Sequence, residues 1–275
     1  MLNRSHIRCI ASDLDGTIVK EDNTVSESMM NMIEFLKQKQ ILFLPCTGRS
    51  ISDLQSVFNS SMKLPVILLN GALFVDENSE VKISMPMLTT SVYQLEQMLL
   101  ETELPCLYFT SNHIYGSGNM NLLDECINKY YKNHDSLNYF SAPIIRVHNC
   151  KDIEEEILKM ETMHLNTDMK DQVKKFMQNI KNIQVSSSLP YNLEITSSNV
   201  NKATMLNKVL KMYKIDKEEI IYFGDSNNDL EVFQQYPYTI APANACDEVL
   251  SIASDVCMSC DKDGVYEYLN RMFYK

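Results

Sequence analysis

Short apolar runs, each closed by a polar turn, recur at 7–12 (IRCIAS), 41–46 (ILFLPC), 65–70 (PVILLN), 219–224 (EIIYFG) and 238–241 (YTIA). They are nearly continuous rather than alternating, so they read as strands buried on both faces of a parallel sheet. Between them the apolar spacing lengthens to that of a helix. Met29, Met32, Ile33 and Leu36 make one stripe, with Ser26 placed to cap it. Further helices are predicted near 51–59, 203–213 and 245–252. Strand alternating with helix predicts an α/β fold with a doubly wound, Rossmann-like parallel sheet.

The middle of the chain follows another rhythm. A helix at 91–101, strands at 106–110 and 113–116 joined as a hairpin, and a helix at 120–132 are predicted. A charged helix at 152–159, a strand at 160–165, a helix at 168–179 and a strand at 183–187 follow. This reads as an α+β cap inserted at 84–190, between a first core segment at 1–83 and a second at 191–275. The crossings fall near Ser84 and Leu189-Pro190.

Composition narrows the picture. With 275 residues, 45% of them hydrophobic and 22% charged, the chain is long enough for two folded units. Its net charge of −11 disfavours nucleic acid and anionic membrane as partners. A small anionic substrate would therefore need a metal or a local cation. No run approaches the ~18 apolar residues of a spanning helix, and the opening residues lack a secretory pattern. The expected setting is the cytoplasm, as a monomer or weak dimer. The eight cysteines (9, 46, 106, 126, 150, 246, 257 and 260) make no compact framework and read as free thiols. Cys257 and Cys260 form a lone CxxC with no second pair, too little to assign a metal or redox role. The methionine-rich stripes read as core filling.

Candidate chemistry gathers at the ends of the predicted strands, where open α/β sheets bind ligands. The first strand ends in Asp13-Leu14-Asp15-Gly16-Thr17. Alternate residues of an extended segment share a face, so the two carboxylates could converge on one ion or substrate. Such an oxygen-rich site suits Mg²⁺. A solvated turn closing a strand is the alternative for this DG sequence. The second strand ends in Thr47-Gly48-Arg49, whose hydroxyl and N–H groups could hold phosphate oxygens, or form an ordinary turn. The 219–224 run leads into Gly224-Asp225-Ser226-Asn227-Asn228-Asp229, and from there into a helix carrying Leu230, Val232 and Phe233. Lys202 opens another helix after the polar stretch SSNVN. Taken singly, a capping role or a solvated charge explains these last segments equally well.

The order DxDGT, TGR, Lys, GDxxND resembles the haloacid dehalogenase superfamily, and within it the Cof-like phosphatases with an inserted α/β cap. Asn70-Gly71-Ala72 and Asp263-Gly264-Val265 also resemble family features, and five of the seven glycines (16, 48, 71, 224 and 264) fall in these motifs. Asn199 and Ala203 stand where the family has glycines around the lysine. Asn tolerates left-handed backbone, which would preserve the loop at Asn199.

The resemblance implies a phosphoric monoester hydrolase. Asp13 would be the nucleophile, forming an aspartyl-phosphate, and Asp15 the general acid and base. Mg²⁺ would sit on Asp13, the main-chain carbonyl of Asp15, and Asp225. Leu14, Thr47, Gly48, Lys202 and Asn228 would hold the substrate phosphate, with Asp229 in support. The partner would be a small phosphorylated metabolite: a sugar phosphate, nucleotide, flavin mononucleotide or pyridoxal phosphate. Two rivals stay open, a sugar-phosphate mutase on the same fold and a non-enzymatic phosphometabolite sensor. Asp15 argues against the related cation-pumping ATPases, which carry Thr there.

Overall fold

Cys9–Ser12, Leu42–Pro45, Ile220–Phe223, Thr239–Pro242 and Asp255–Cys257 form one sheet with every neighbouring pair parallel. Their spatial order is 255–257, 239–242, 220–223, 9–12, 42–45. The structure is a computed structural model. It describes residues 6–274 apart from 21, 55–56, 59–62, 131–142, 164–165 and 188–190, with backbone only at 126–130 and 167.

The fully buried runs are those that take the inner strands, because helices cover both faces. On one face Cys9, Ala11, Leu44 and Tyr222 pack against Met205, Leu206 and Val209 of the helix Lys202–Tyr213. On the other, Ile10, Phe43, Ile221 and Phe223 meet Met29, Met32, Ile33 and Leu36 of Glu27–Gln38. That helix starts where predicted, with the Ser26 hydroxyl accepting the Met29 N–H at 3.1 Å. The final helix, Gly264–Tyr274, adds Val265, Leu269 and Met272 to the same face. The doubly wound layout is thus the direct consequence of strands apolar on both sides.

The 65–70 run departs from expectation. Val66–Leu68 is joined to the parallel sheet by a single bridge among the described residues, Cys46 to Ile67, and pairs antiparallel with Leu73–Val75, which in turn pairs with Val81–Ser84. The cause lies in the turn between them. Leu69 and Asn70 both take left-handed backbone, at φ 53° and 56°, and reverse the chain at once.

The middle of the chain builds a second sheet of six strands. Their order is Ile183–Ser186, Asn192–Ser197, Lys159–Met163, Pro105–Phe109, Ile114–Gly118, Ile144–Arg146, all pairs antiparallel except the last. The hairpin is present, closed by the Thr110 N–H on His113 O at 3.0 Å. Helices Thr89–Glu101, Met120–Tyr130 and Thr167–Met177 form near their expected places. The helix expected at 152–159 does not form. A single 3-10 turn, Cys150–Asp152, is closed by Asn149 and Asp152 as a capping box, and the chain then runs on without a helix to Lys159. Asn192–Ser197 also differs from the reading that the first unit resumes at 191, since it pairs with strands of the second sheet on both sides. Of the helix expected at 51–59, Ile51–Leu54 is helical, and part of the remainder lies outside the described residues, as does the Leu189-Pro190 crossing. Among the described residues seven cysteines are free thiols, Cys257 and Cys260 included, and no helix is long and apolar enough to cross a membrane.

Glu155 explains why the 153–158 segment stays pinned without being helical. Its carboxylate accepts from Thr110 Oγ1 (2.8 Å), Asn112 Nδ2 (3.1 Å) and Tyr115 OH (2.8 Å), and pairs with His113 Nδ1 at 2.5 Å. Partial burial pushes this carboxyl up, but the bonds from His113, Tyr115, Thr110 and Asn112 outweigh it and bring it down to about 2. An unfolded Glu titrates near 4.3. The contribution is therefore complete above that value and is lost as pH falls toward 2. Glu155→Gln is expected to cost about 1 kcal/mol at pH 7, given partial solvent screening. In urea titrations the gap from wild type should close below pH 4; a gap that does not change with pH would show that the carboxylate charge is not what pins this segment.

Candidate active site

Asp13 directly follows the first strand. Its N–H continues the parallel ladder onto Phe223 O at 2.8 Å, so its side chain stands at the carboxyl edge of the sheet, 4% exposed. The chain then turns at Gly16, whose φ of +76° suits glycine. A Cβ there would lie 2.5 Å from Asp225 Oδ2, so the absence of a side chain is what lets the two acidic turns meet. Asp225 is oriented by Thr17 Oγ1 on its Oδ1 at 2.8 Å and Ser226 Oγ on its Oδ2 at 3.0 Å.

Lys202 enters from the side. Asn201 caps its helix, accepting the Thr204 N–H at 2.7 Å. A Cβ on Gly71 would come within 2.3 Å of Asn201 O, so that glycine permits the helix start to sit against the neighbouring turn. Asn199, whose side chain would have tolerated left-handed backbone, is not among the positive-φ residues. Ala203 is wholly buried in the first helical turn, where a small side chain fits. Lys202 Nζ lies 2.7 Å from Asp13 Oδ1, 2.8 Å from Asp229 Oδ1 and 3.3 Å from Asn228 Oδ1.

Asp229 is saturated. Its Oδ1 also accepts from Tyr222 OH at 2.6 Å, and its Oδ2 takes the N–H groups of Asp225 (3.0 Å) and Ser226 (3.1 Å). Carboxylate oxygens of Asp13, Asp225 and Asp229 lie within 4.8 Å of one another, a group able to hold a metal ion. Three carboxylates face one ammonium. Burial pushes the Asp13 carboxyl well above its usual range; Lys202 opposes this, and Asp229, Asp225 and Asp15 reinforce it. Burial and then Asp229 raise Asp225 likewise. For Lys202 burial acts downward, but Asp13 and Asp229 raise it further, so it stays charged. The residual negative charge and the all-oxygen donor set fit a hard divalent cation. With Asp229 committed elsewhere, Asp13 and Asp225 are the side chains with acceptor capacity to spare.

Asp15 does not join them. Gly16 turns the chain, and the Asp15 side chain is 55% exposed, gripped by Arg49 through Nη2–Oδ1 (2.6 Å) and Nε–Oδ2 (2.9 Å). The extended geometry that would have put both carboxylates on one face ends at Leu14, whose carbonyl accepts the N–H groups of Thr17, Ile18 and Val19. Leu14 is fully buried in the core, so only its main chain can serve a ligand. Thr47 is buried, with Oγ1 accepting the Arg49 N–H at 3.1 Å. Gly48 packs against Asn70, whose Oδ1 also accepts from Asn228 Nδ2 at 3.2 Å. Thr47, Gly48, Lys202 and Asn228 thus line one rim beside Asp13.

A model of the haloacid dehalogenase-like hydrolases matches residues 10–269. The chain belongs to that family. The 5-amino-6-(5-phospho-D-ribitylamino)uracil phosphatase YwtE of Bacillus subtilis (strain 168) is 24% identical, over 97% of this chain and 98% of the relative. Among solved structures, a haloacid dehalogenase-like hydrolase from B. subtilis superposes with a TM-score of 0.83 at 22% identity, covering 97% of this chain and 99% of that one. The subclass IIB sugar phosphatase BT4131 superposes at 0.79 with 19% identity, covering 96% and 98%. This haloacid dehalogenase-like hydrolase is a phosphatase of the Cof-like type.

Several residues of this hydrolase's site carry little sequence signal. Tyr222 sits within an apolar strand run, and only the need of a buried phenol for a partner marks it. Thr17 and Asn70 lie inside the motifs, but their partners are set by contacts between turns more than 100 residues apart, while Ser226 bonds the Asp225 beside it.

Proposed function

We propose that this phosphatase is Mg²⁺-dependent and hydrolyses small phosphate monoesters through an aspartyl-phosphate on Asp13. The observation that carries this reading is the buried Asp13, paired with Lys202 and facing Asp225. An Asp13 oxygen would attack phosphorus as the bond from phosphorus to the ester oxygen breaks, with Asp15 giving its proton to the leaving oxygen. Water, deprotonated by Asp15, would then attack the acyl phosphate, releasing inorganic phosphate and restoring Asp13. To donate, Asp15 must first leave the Arg49 grip. Lys202, Asn228, Thr47, Gly48 and the Leu14 main chain would hold the phosphoryl oxygens, while Asp229 fixes Lys202. Asp13, Asp225 and the Asp15 carbonyl would hold Mg²⁺, which supplies positive charge to the transferring phosphoryl group.

Residues from about Met85 to Ser197 would act as a cap that contacts the organic part of the ester, in a cytoplasmic monomer or weak dimer. The Met85 N–H bonds Ala72 O in the small sheet and the Met87 N–H bonds Ile157 O beside the second sheet, which favours a crossing between them. Sugar phosphates are the favoured class, with 5-amino-6-(5-phospho-D-ribitylamino)uracil added from the B. subtilis relative. A panel of these with flavin mononucleotide, pyridoxal phosphate and nucleotides, read by phosphate release, tests the proposal. Release from at least one sugar or sugar-alcohol phosphate is expected. Transfer to a sugar acceptor without release would mean a mutase, and silence across the panel would count against the reading.

A further inference from the structure

A buried polar relay runs from the six-stranded sheet into the Asp13 cluster. Lys159 opens its strand and is 2% exposed. Its Nζ lies 2.6 Å from Glu194 Oε1 and 3.1 Å from Glu161 Oε2, sits 4.4 Å above the Phe109 ring, and reaches Gly48 O at 3.4 Å. Glu194 Oε2 accepts from Asn70 Nδ2 at 3.2 Å, and Asn70 Oδ1 accepts from Asn228 Nδ2 at 3.2 Å. Asn228 Oδ1 faces Lys202 Nζ at 3.3 Å, and Lys202 reaches Asp13 at 2.7 Å.

The donor inventory gives this relay one direction. Lys202 can only donate, so Asn228 must turn its oxygen toward it and its NH₂ toward Asn70. Asn70 must then present oxygen to Asn228 and NH₂ to the far side, where an obligate acceptor is required. The Glu194 carboxylate is that acceptor, and Lys159 pairs with it and with Glu161. The group is buried, with the Phe109 ring against Lys159 and Asn192 Nδ2 donating to the neighbouring Glu161 Oε1 at 2.9 Å. A buried ion group in such a place adds little net stability over apolar side chains of similar volume. What it does add is a defined orientation of its hydrogen-bonding neighbours.

We infer that Lys159 and Glu194 are positioning residues for the phosphate-binding rim, Lys159 through the Gly48 carbonyl and Glu194 through Asn70 and the Asn228 amide. This rests on the proposed assignment of Gly48, Lys202 and Asn228 to substrate phosphate. Because both act on the phosphate end, their loss reaches every substrate equally, whatever the leaving group.

Glu194→Gln puts an amide where an obligate acceptor is needed, and either orientation leaves Lys159 or Asn70 facing a donor. The full-length protein with Mg²⁺ is assayed for kcat and KM on two esters with unlike leaving groups, for inorganic phosphate binding by calorimetry, and for Tm. Glu194→Gln is expected to lower kcat about tenfold or more on both esters alike and to weaken phosphate binding. Lys159→Arg is expected to retain activity that Lys159→Met loses. If the single variants do not fold, the K159M/E161L/E194L chain supplies a folded protein without the relay, with the same losses expected. A folded variant with wild-type kcat and phosphate affinity but lower Tm would make the relay merely structural and overturn the inference. A changed substrate ranking would make these residues leaving-group contacts and overturn it too. Asp13→Asn is run alongside. If Asp13→Asn keeps activity, the proposed site assignment itself falls; if it is inactive while Glu194→Gln equals wild type, only the positioning role falls.

Discussion

Asp13→Asn is expected to reduce turnover by about three orders of magnitude or more while leaving the fold in place. The amide has the same shape and can still accept from Lys202 through its oxygen, but it cannot attack phosphorus. Stability should change little, because the substitution removes one of three clustered carboxylates and Lys202 keeps Asp229 at 2.8 Å. The check is phosphate release by the purified variant, beside its Tm. Retention of more than a small fraction of wild-type activity, with Tm unchanged, would remove Asp13 from the nucleophile's role.

Excess EDTA is expected to abolish activity, and Mg²⁺ to restore it. Asp13, Asp225 and Asp229 crowd their oxygens within 4.8 Å, and Lys202 is the ammonium paired with two of them. A divalent ion would relieve the remaining repulsion, so Mg²⁺ should also stabilise the fold, by about 2.7 kcal/mol at a hundred times its Kd. Thermal melts with and without Mg²⁺ give a readout independent of catalysis. Asp225→Asn should shrink that shift, since Thr17 and Ser226 aim its carboxylate at the cluster. Zinc should substitute poorly, as no His or Cys belongs to the donor set. Activity that survives exhaustive chelation, together with a Tm indifferent to Mg²⁺, would overturn the metal assignment.

The local pattern was enough for the core. Runs such as IRCIAS and EIIYFG are apolar on both faces, and only a sheet covered on both sides buries them, so the parallel sheet and its flanking helices follow from the chain itself. Charge affected the second unit in ways the pattern concealed. Asp152 to Glu156 has the spacing of a charged helix, yet the Asn149 capping box closes one turn, and Glu155 finds four partners on a hairpin 40 or more residues away. Asn192–Ser197 falls in the segment assigned to the second part of the core, but its alternate residues Asn192, Glu194 and Thr196 are polar and buried, and they pair in the second sheet.

At the candidate site the division is equally physical. Residue types and their spacing at strand ends determined which groups could do phosphoryl chemistry, because strand termini and glycine turns are local features. Which carboxylates meet was decided by tertiary contacts. The turn closed on the Leu14 carbonyl leaves Asp15 with Arg49, Gly16 admits Asp225, and Asp229 enters the cluster only to be saturated by Lys202, Tyr222 and two main-chain N–H groups. The Lys159–Glu194 relay is the extreme case. Each residue alone is an ordinary charge in a strand, and only burial, with Lys159 and Glu194 at most 3% exposed, makes their partners and directions definite.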